Sequence, residues 1–115
     1  MAPKSIVLYH GTTEKAWRKR HNGRSTLYLC DSIAEAQKYA DEASENDLTK
    51  PIVLRISLVD IGDDFDKLPD DGWLAAKDAD WKRSLKEVGS FAVSGDIEKM
   101  KRRFKVVWRD GPRSY

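Results

Sequence analysis

One cysteine among 115 residues, Cys30, leaves no partner for an internal disulfide and too few thiolates for a cysteine-based zinc site. Its place in an apolar run predicts a buried structural thiol rather than a reactive one. No apolar run approaches the roughly 20 residues of a membrane span, and no signal peptide opens the chain, so a cytoplasmic setting is expected. Charge of one sign is also scarce: a net +2 is too small to mark a nucleic-acid binder by itself. Repeats, low-complexity tracts and linkers are missing as well. What is present is 40% hydrophobic and 35% charged residues, the balance of a soluble globular protein with a heavily charged surface. The length suits one core and one domain, residues 1–115.

The run Ser5-Ile6-Val7-Leu8-Tyr9 is β-branched and apolar and stops at His10-Gly11, a dipeptide suited to a sharp backbone change. Thr12 or Thr13 caps a short helix through Arg20, ended by Asn22-Gly23. In the next strand Leu27 and Leu29 alternate with Tyr28 and Cys30. Asp31 or Ser32 then caps a stronger helix, with Glu35 placed as in a capping box and Ile33, Ala36, Ala40 and Ala43 forming an apolar stripe. The near-continuous apolar run from Pro51 to Val59 predicts a central strand. Asp60 to Asp71 is acidic, contains Gly62 and Pro69, and reads as a loop. A helix, or two short ones, is expected from Trp73 through Leu85, then strands at Gly89–Ser94 and Arg103–Trp108. Helices then cluster in the first half, and the fold class is α+β on a strongly twisted mixed or antiparallel sheet. Trp108 is the surest core member among the four tryptophans.

Candidate chemistry sits at Tyr9-His10-Gly11-Thr12. A histidine at a strand end beside glycine offers an imidazole and a backbone that a flat polar ligand can approach closely. Tyr28 and Tyr39 add faces on which an aromatic cation can stack. Taken singly, each residue has a plainer reading: a strand-end histidine bonded to a backbone carbonyl, and two core aromatics. Their joint order and spacing resemble the nicotinamide pocket of the ADP-ribosyltransferases, in the histidine–tyrosine–glutamate branch that includes diphtheria toxin and the poly(ADP-ribose) polymerases. The resemblance runs from Tyr9 to about Ile97 and implies a small fold whose sheet is split around an NAD cleft. It implies that His10 bonds a ribose of NAD, that the Gly11 backbone holds the carboxamide, with Thr12 completing the motif, and that Tyr28 and Tyr39 stack on the nicotinamide. Ala36 stands where many polymerase-type members carry a serine. The family glutamate falls at Ser90 in the strand Gly89-Ser90-Phe91-Ala92-Val93-Ser94, and Glu87 supplies a carboxylate only in a shifted register.

NAD itself would be the substrate. Breaking its nicotinamide–ribose bond builds an oxocarbenium-like centre, and the reaction needs no metal. The basic runs Arg18-Lys19-Arg20-His21 and Lys99-Met100-Lys101-Arg102-Arg103 read as solvated faces, with phosphate or RNA contact as the sharper alternative. The acidic stretch from Asp60 lacks the calcium-loop pattern and is assigned no metal. The resemblance implies a mono-ADP-ribosyltransferase acting on a protein, of a size that suits a phage or bacterial effector. Two alternatives stand beside it: a catalytically inactive NAD-, ADP-ribose- or protein-binding module, which Ser90 favours, and an enzyme like the RNA 2′-phosphotransferases. The latter rely on an extra basic domain for which this chain has no room.

Overall fold

Apolar, β-branched runs alternate with short capped polar stretches, and the computed structural model, which describes residues 6–19, 24–62, 65–69 and 81–109, turns them into six strands and five helices. In chain order these are β1 (Val7–Thr13), α1 (Glu14–Arg18), β2 (Arg24–Cys30), α2 (Ile33–Asp47), β3 (Pro51–Ser57), α3 (Leu58–Ile61), β4 (Asp66–Pro69), α4 (Trp81–Val88), β5 (Ser90–Asp96), α5 (Ile97–Lys101) and β6 (Lys105–Arg109). The strands form one sheet in the order β4-β5-β2-β1-β3-β6. Every pairing between described strands is antiparallel, so the sheet is not mixed. The class is α+β.

Caps explain the helix starts. Ser32 Oγ accepts from Glu35 N at 3.3 Å, as the capping box predicts. Thr13 Oγ1 accepts from Ala16 N at 3.1 Å and donates to Asp47 Oδ2, tying the start of α1 to the end of α2. Asp96 Oδ1 accepts from Lys99 N at 3.4 Å to open α5.

The two sheet faces differ in depth. On one, Leu8, Leu27, Leu29, Leu54, Ile56, Phe91 and Val93 meet Ile61 of α3 and Ile97 and Met100 of α5, with Trp17 of α1 and Trp81 and Leu85 of α4 packed around them. Truncating such a buried leucine or phenylalanine to alanine typically costs about 2–5 kcal/mol. Among the described residues, the other face carries α2 alone, over a small cluster of Cys30, Ala36, Ala40 and Val53 flanked by Tyr9 and Trp108. Helix α2 lies over β1 and β3, and Gly11 makes the close crossing feasible. A Cβ on Gly11 would stand 1.8 Å from the Ala36 carbonyl oxygen.

Several expectations need correction. Asp60–Asp71 is not merely a loop: Ile61 closes α3, and Asp66–Pro69 pairs with β5 as an edge strand. An edge position tolerates proline because one side of the strand donates to nothing. The run from Pro51 ends as a strand at Ser57, and Val59 lies in α3. Helices do not cluster in the first half, since α3, α4 and α5 follow β3. Trp108 is only half-buried, because β6 is the outer strand beyond β3. Helix α1 ends at Arg18, two residues short of Arg20, and Trp73 with most of its expected helix lies outside the described residues.

Candidate functional site

The geometry of the site begins where the sheet comes apart. Strands β1 and β2 share one register pair, Tyr9↔Cys30, whereas β1–β3 and β2–β5 each pair along seven positions. Continuing the register would set Gly11 opposite Tyr28. Instead, the His10 side chain spans the opening, with Nδ1 2.8 Å from the Tyr28 carbonyl oxygen. A carbonyl only accepts, so Nδ1 carries a proton and donates. The His10 ring sits 5.9 Å from that of Trp17, tilted by 44°, which holds it from the deep-core side. His10 is bonded to a carbonyl but is not at a strand end: β1 does not stop at His10-Gly11 and stays paired with β3 as far as Thr13, because only its β2 side comes apart, opening a wedge.

Over that wedge lies a cleft of about 340 Å³ lined by Tyr9, His10, Gly11, Tyr28, Leu29, Cys30, Tyr39 and Ser90. This is the low end of the volume range of ligand pockets, about 300–1,000 Å³. Period-two alternation explains the lining. Ser90 pairs with Cys30 and Cys30 with Tyr9, which puts all three side chains in one row on the α2 face. Tyr28 stands opposite Ala92 on the same face, and α2 brings Tyr39 from above. Both tyrosines leave the core: Tyr28 is 44% exposed and Tyr39 53%. Both residues line the cleft.

Ser90 is held at the start of β5 by the fully buried Ser84, whose hydroxyl donates to the Ser90 carbonyl at 2.7 Å. Just before it Gly89, at φ 75°, ends α4 and abuts Asp31, whose N–H donates to the Gly89 carbonyl at 2.9 Å. Cys30 is 6% exposed, with Sγ 3.3 Å from the Ser32 carbonyl oxygen and 3.6 Å from that of Tyr9. Burial pushes its thiol pKa up, and the charges of Asp31 and Glu35 add to the rise. A raised pKa and burial disfavour the thiolate, and Cys30 contributes to the cleft wall.

Of the residues singled out in the sequence, the structure brings together His10, Gly11, Tyr28, Tyr39 and Ser90. Thr12 is buried on the deep-core side of β1 and does not line the cleft. Glu87 lies on the exposed side of α4, 3.3 Å from Arg83, and also stays out of the cleft. No aspartate or glutamate lines the cleft among the described residues. Tyr9, Leu29 and Cys30 were not anticipated as lining. Tyr9 and Cys30 could have been found by carrying the alternation of Gly11 and Tyr28 one step along each strand. Among the described residues no group of histidine, cysteine, aspartate and glutamate is arranged to hold a metal ion, and no helix is long and apolar enough to cross a membrane. Comparison with protein-family models, curated proteins and solved structures finds no match to this chain.

Proposed function

We propose that the cleft binds the nicotinamide end of NAD and that the protein is a small ADP-ribosyltransferase-type domain that transfers ADP-ribose to a protein acceptor slowly. The observation that carries this reading is the wedge itself: a split between β1 and β2, bridged by His10 and flanked by the exposed faces of Tyr28 and Tyr39. A cationic pyridinium between two such rings gains about 0.5–2 kcal/mol per favourable face. The Gly11 backbone, at the edge of β1 that faces the split, suits the carboxamide as donor and acceptor. His10 Nε2 shares a hydrogen bond with a ribose hydroxyl, and the Ser90 hydroxyl lies across the same cleft.

In the transfer, the bond between ribose C1′ and nicotinamide nitrogen breaks with its electron pair going to the ring. An acceptor nucleophile then bonds C1′ and releases its proton to solvent. Tyrosine faces hold the departing ring, but Ser90 brings no negative charge to the sugar. Losing one preorganised electrostatic contact typically costs about 10²–10³ in rate, so turnover is slow. The second reading, an NAD-binding module without turnover, is favoured by the same Ser90 and by Glu87 lying outside the cleft.

Labelled NAD incubated with the protein and a lysate tests the reading, with transfer followed on gels and by mass spectrometry. Slow labelling that rises in Ser90→Glu and is unchanged in Glu87→Ala is expected. Fast labelling that collapses in Glu87→Ala would contradict it. Binding without labelling, in wild type and in Ser90→Glu alike, would favour the module.

A further inference from the structure

Two basic runs that lie some eighty residues apart in the chain converge on one face. The Lys101 ammonium of α5 donates to the Lys19 carbonyl at the end of α1, 2.9 Å away, and sits 5.4 Å above the Trp17 ring. This contact brings the end of α1, with Arg18 and Lys19, to α5, with Lys99, Lys101 and Arg102, and all but the half-buried Lys101 are exposed. Glu14 stands in the first turn of α1, at the end away from Lys19, and the carboxylates at α5 are engaged in the fold. Glu98 pairs with Lys101 at 2.7 Å, and Asp96 caps α5. No carboxylate pairs with Arg18, Lys19 or Arg102 among the described residues.

Negative charge is gathered elsewhere. Helix α2, on the opposite face of the sheet, carries Glu35, Asp41, Glu42, Glu45 and Asp47 against a single lysine, Lys38. Among the described residues, positive charge gathers where the end of α1 meets α5, and negative charge along α2, an uneven spread that a net charge of +2 does not report. Clustered arginine and lysine on one face is the electrostatic footprint of a phosphate-backbone contact, and net charge alone does not report it. Trp17 is taken up by its edge contact with Phe104, at 5.2 Å and 77°, and by Lys101 above it, so the face offers charge rather than a base-stacking platform.

We infer that this face binds the phosphate backbone of a nucleic-acid strand, without reading its sequence. Binding is a property of the basic face and does not depend on what the cleft holds.

The experiment is fluorescence anisotropy of a labelled 20-nucleotide single strand titrated with the protein in the absence of NAD, at several salt concentrations. Expected is micromolar binding at low salt that weakens steeply as salt rises. The double variant Lys19→Glu/Arg102→Glu should bind at least tenfold more weakly. Its log–log salt slope should be shallower by about 1.4, two contacts at about 0.7 each. Lys38→Glu on α2 should leave affinity within twofold, and melting curves of all variants verify the fold. The inference is overturned by no binding at 100 µM protein in low salt, about the weakest non-specific affinities. It is equally overturned if Lys38→Glu weakens binding as much as the double variant, or if a polyglutamate of equal charge binds as well as the oligonucleotide. Failure here leaves nicotinamide binding in the cleft untouched, and that is measured separately with NAD alone.

Discussion

Replacing Gly11 by alanine tests the joint between the fold and the cleft. The added Cβ would meet the Ala36 carbonyl oxygen at 1.8 Å, its carbon at 2.8 Å and the Ala40 nitrogen at 3.0 Å. All three are helix backbone, so no side-chain rotation relieves the clash. Restoring ordinary contact at 3.4 Å means moving α2 outward by about 1.6 Å. That shift strips the fully buried Ala36 and Ala40 from Val53 and Cys30. Overpacking costs about 1–3 kcal/mol where side chains can adjust, and this site belongs at the upper end. For a domain of this size roughly 3 kcal/mol lowers the melting temperature by about 10–15 °C. Because α2 carries Tyr39, nicotinamide affinity should fall as well. Circular dichroism melts and a 3-aminobenzamide titration read both effects. A variant melting within about 2 °C of wild type would refute the close crossing of α2 over β1.

Leu48 ends α2 in the left-handed region at φ 61° while 87% exposed, so Leu48→Gly removes strain without losing packing. It should stabilise by about 0.5–1 kcal/mol, seen as a rise of a few degrees in melting temperature; a fall would contradict the cap geometry. The Asp47 carboxyl is held below the usual carboxylate range, chiefly by the Thr13 hydroxyl and further by Thr49, against the opposing effect of burial. Its contribution to stability is therefore present above the unfolded value of about 3.9 and is lost as pH falls through the lower folded value. Asp47→Asn should flatten the decline of melting temperature below about pH 4, and superimposable acid limbs for both proteins would contradict this.

Local chemistry was legible in the chain wherever it acts within a few residues. The Ser32–Glu35 cap, the alternation of Leu27 and Leu29 with Tyr28 and Cys30, and the apolar run from Pro51 all became the elements they predicted. Strand β4 was hidden because its pairing energy comes from β5, more than twenty residues away, and its own residues are polar apart from Leu68 and Pro69. Helix α5 was masked by its lysines, although Ile97 and Met100 are fully buried at helical spacing and Asp96 stands as its cap. The cleft was half legible. His10, Tyr28, Tyr39 and Ser90 reach it, but the role of Gly11 beneath α2 depends on a tertiary crossing that no local pattern encodes.

The central claim is that Tyr28 and Tyr39 are walls of a nicotinamide site rather than parts of the core, and isothermal titration calorimetry of NAD and 3-aminobenzamide tests it most directly. Both ligands should bind the wild type. Tyr28→Ala and Tyr39→Ala should each weaken binding by about 1–2 kcal/mol, roughly five- to thirtyfold, with melting temperatures nearly unchanged because the two residues are 44% and 53% exposed. Absence of heat for either ligand at millimolar concentration, or a large drop in melting temperature with affinity unchanged, would contradict the account.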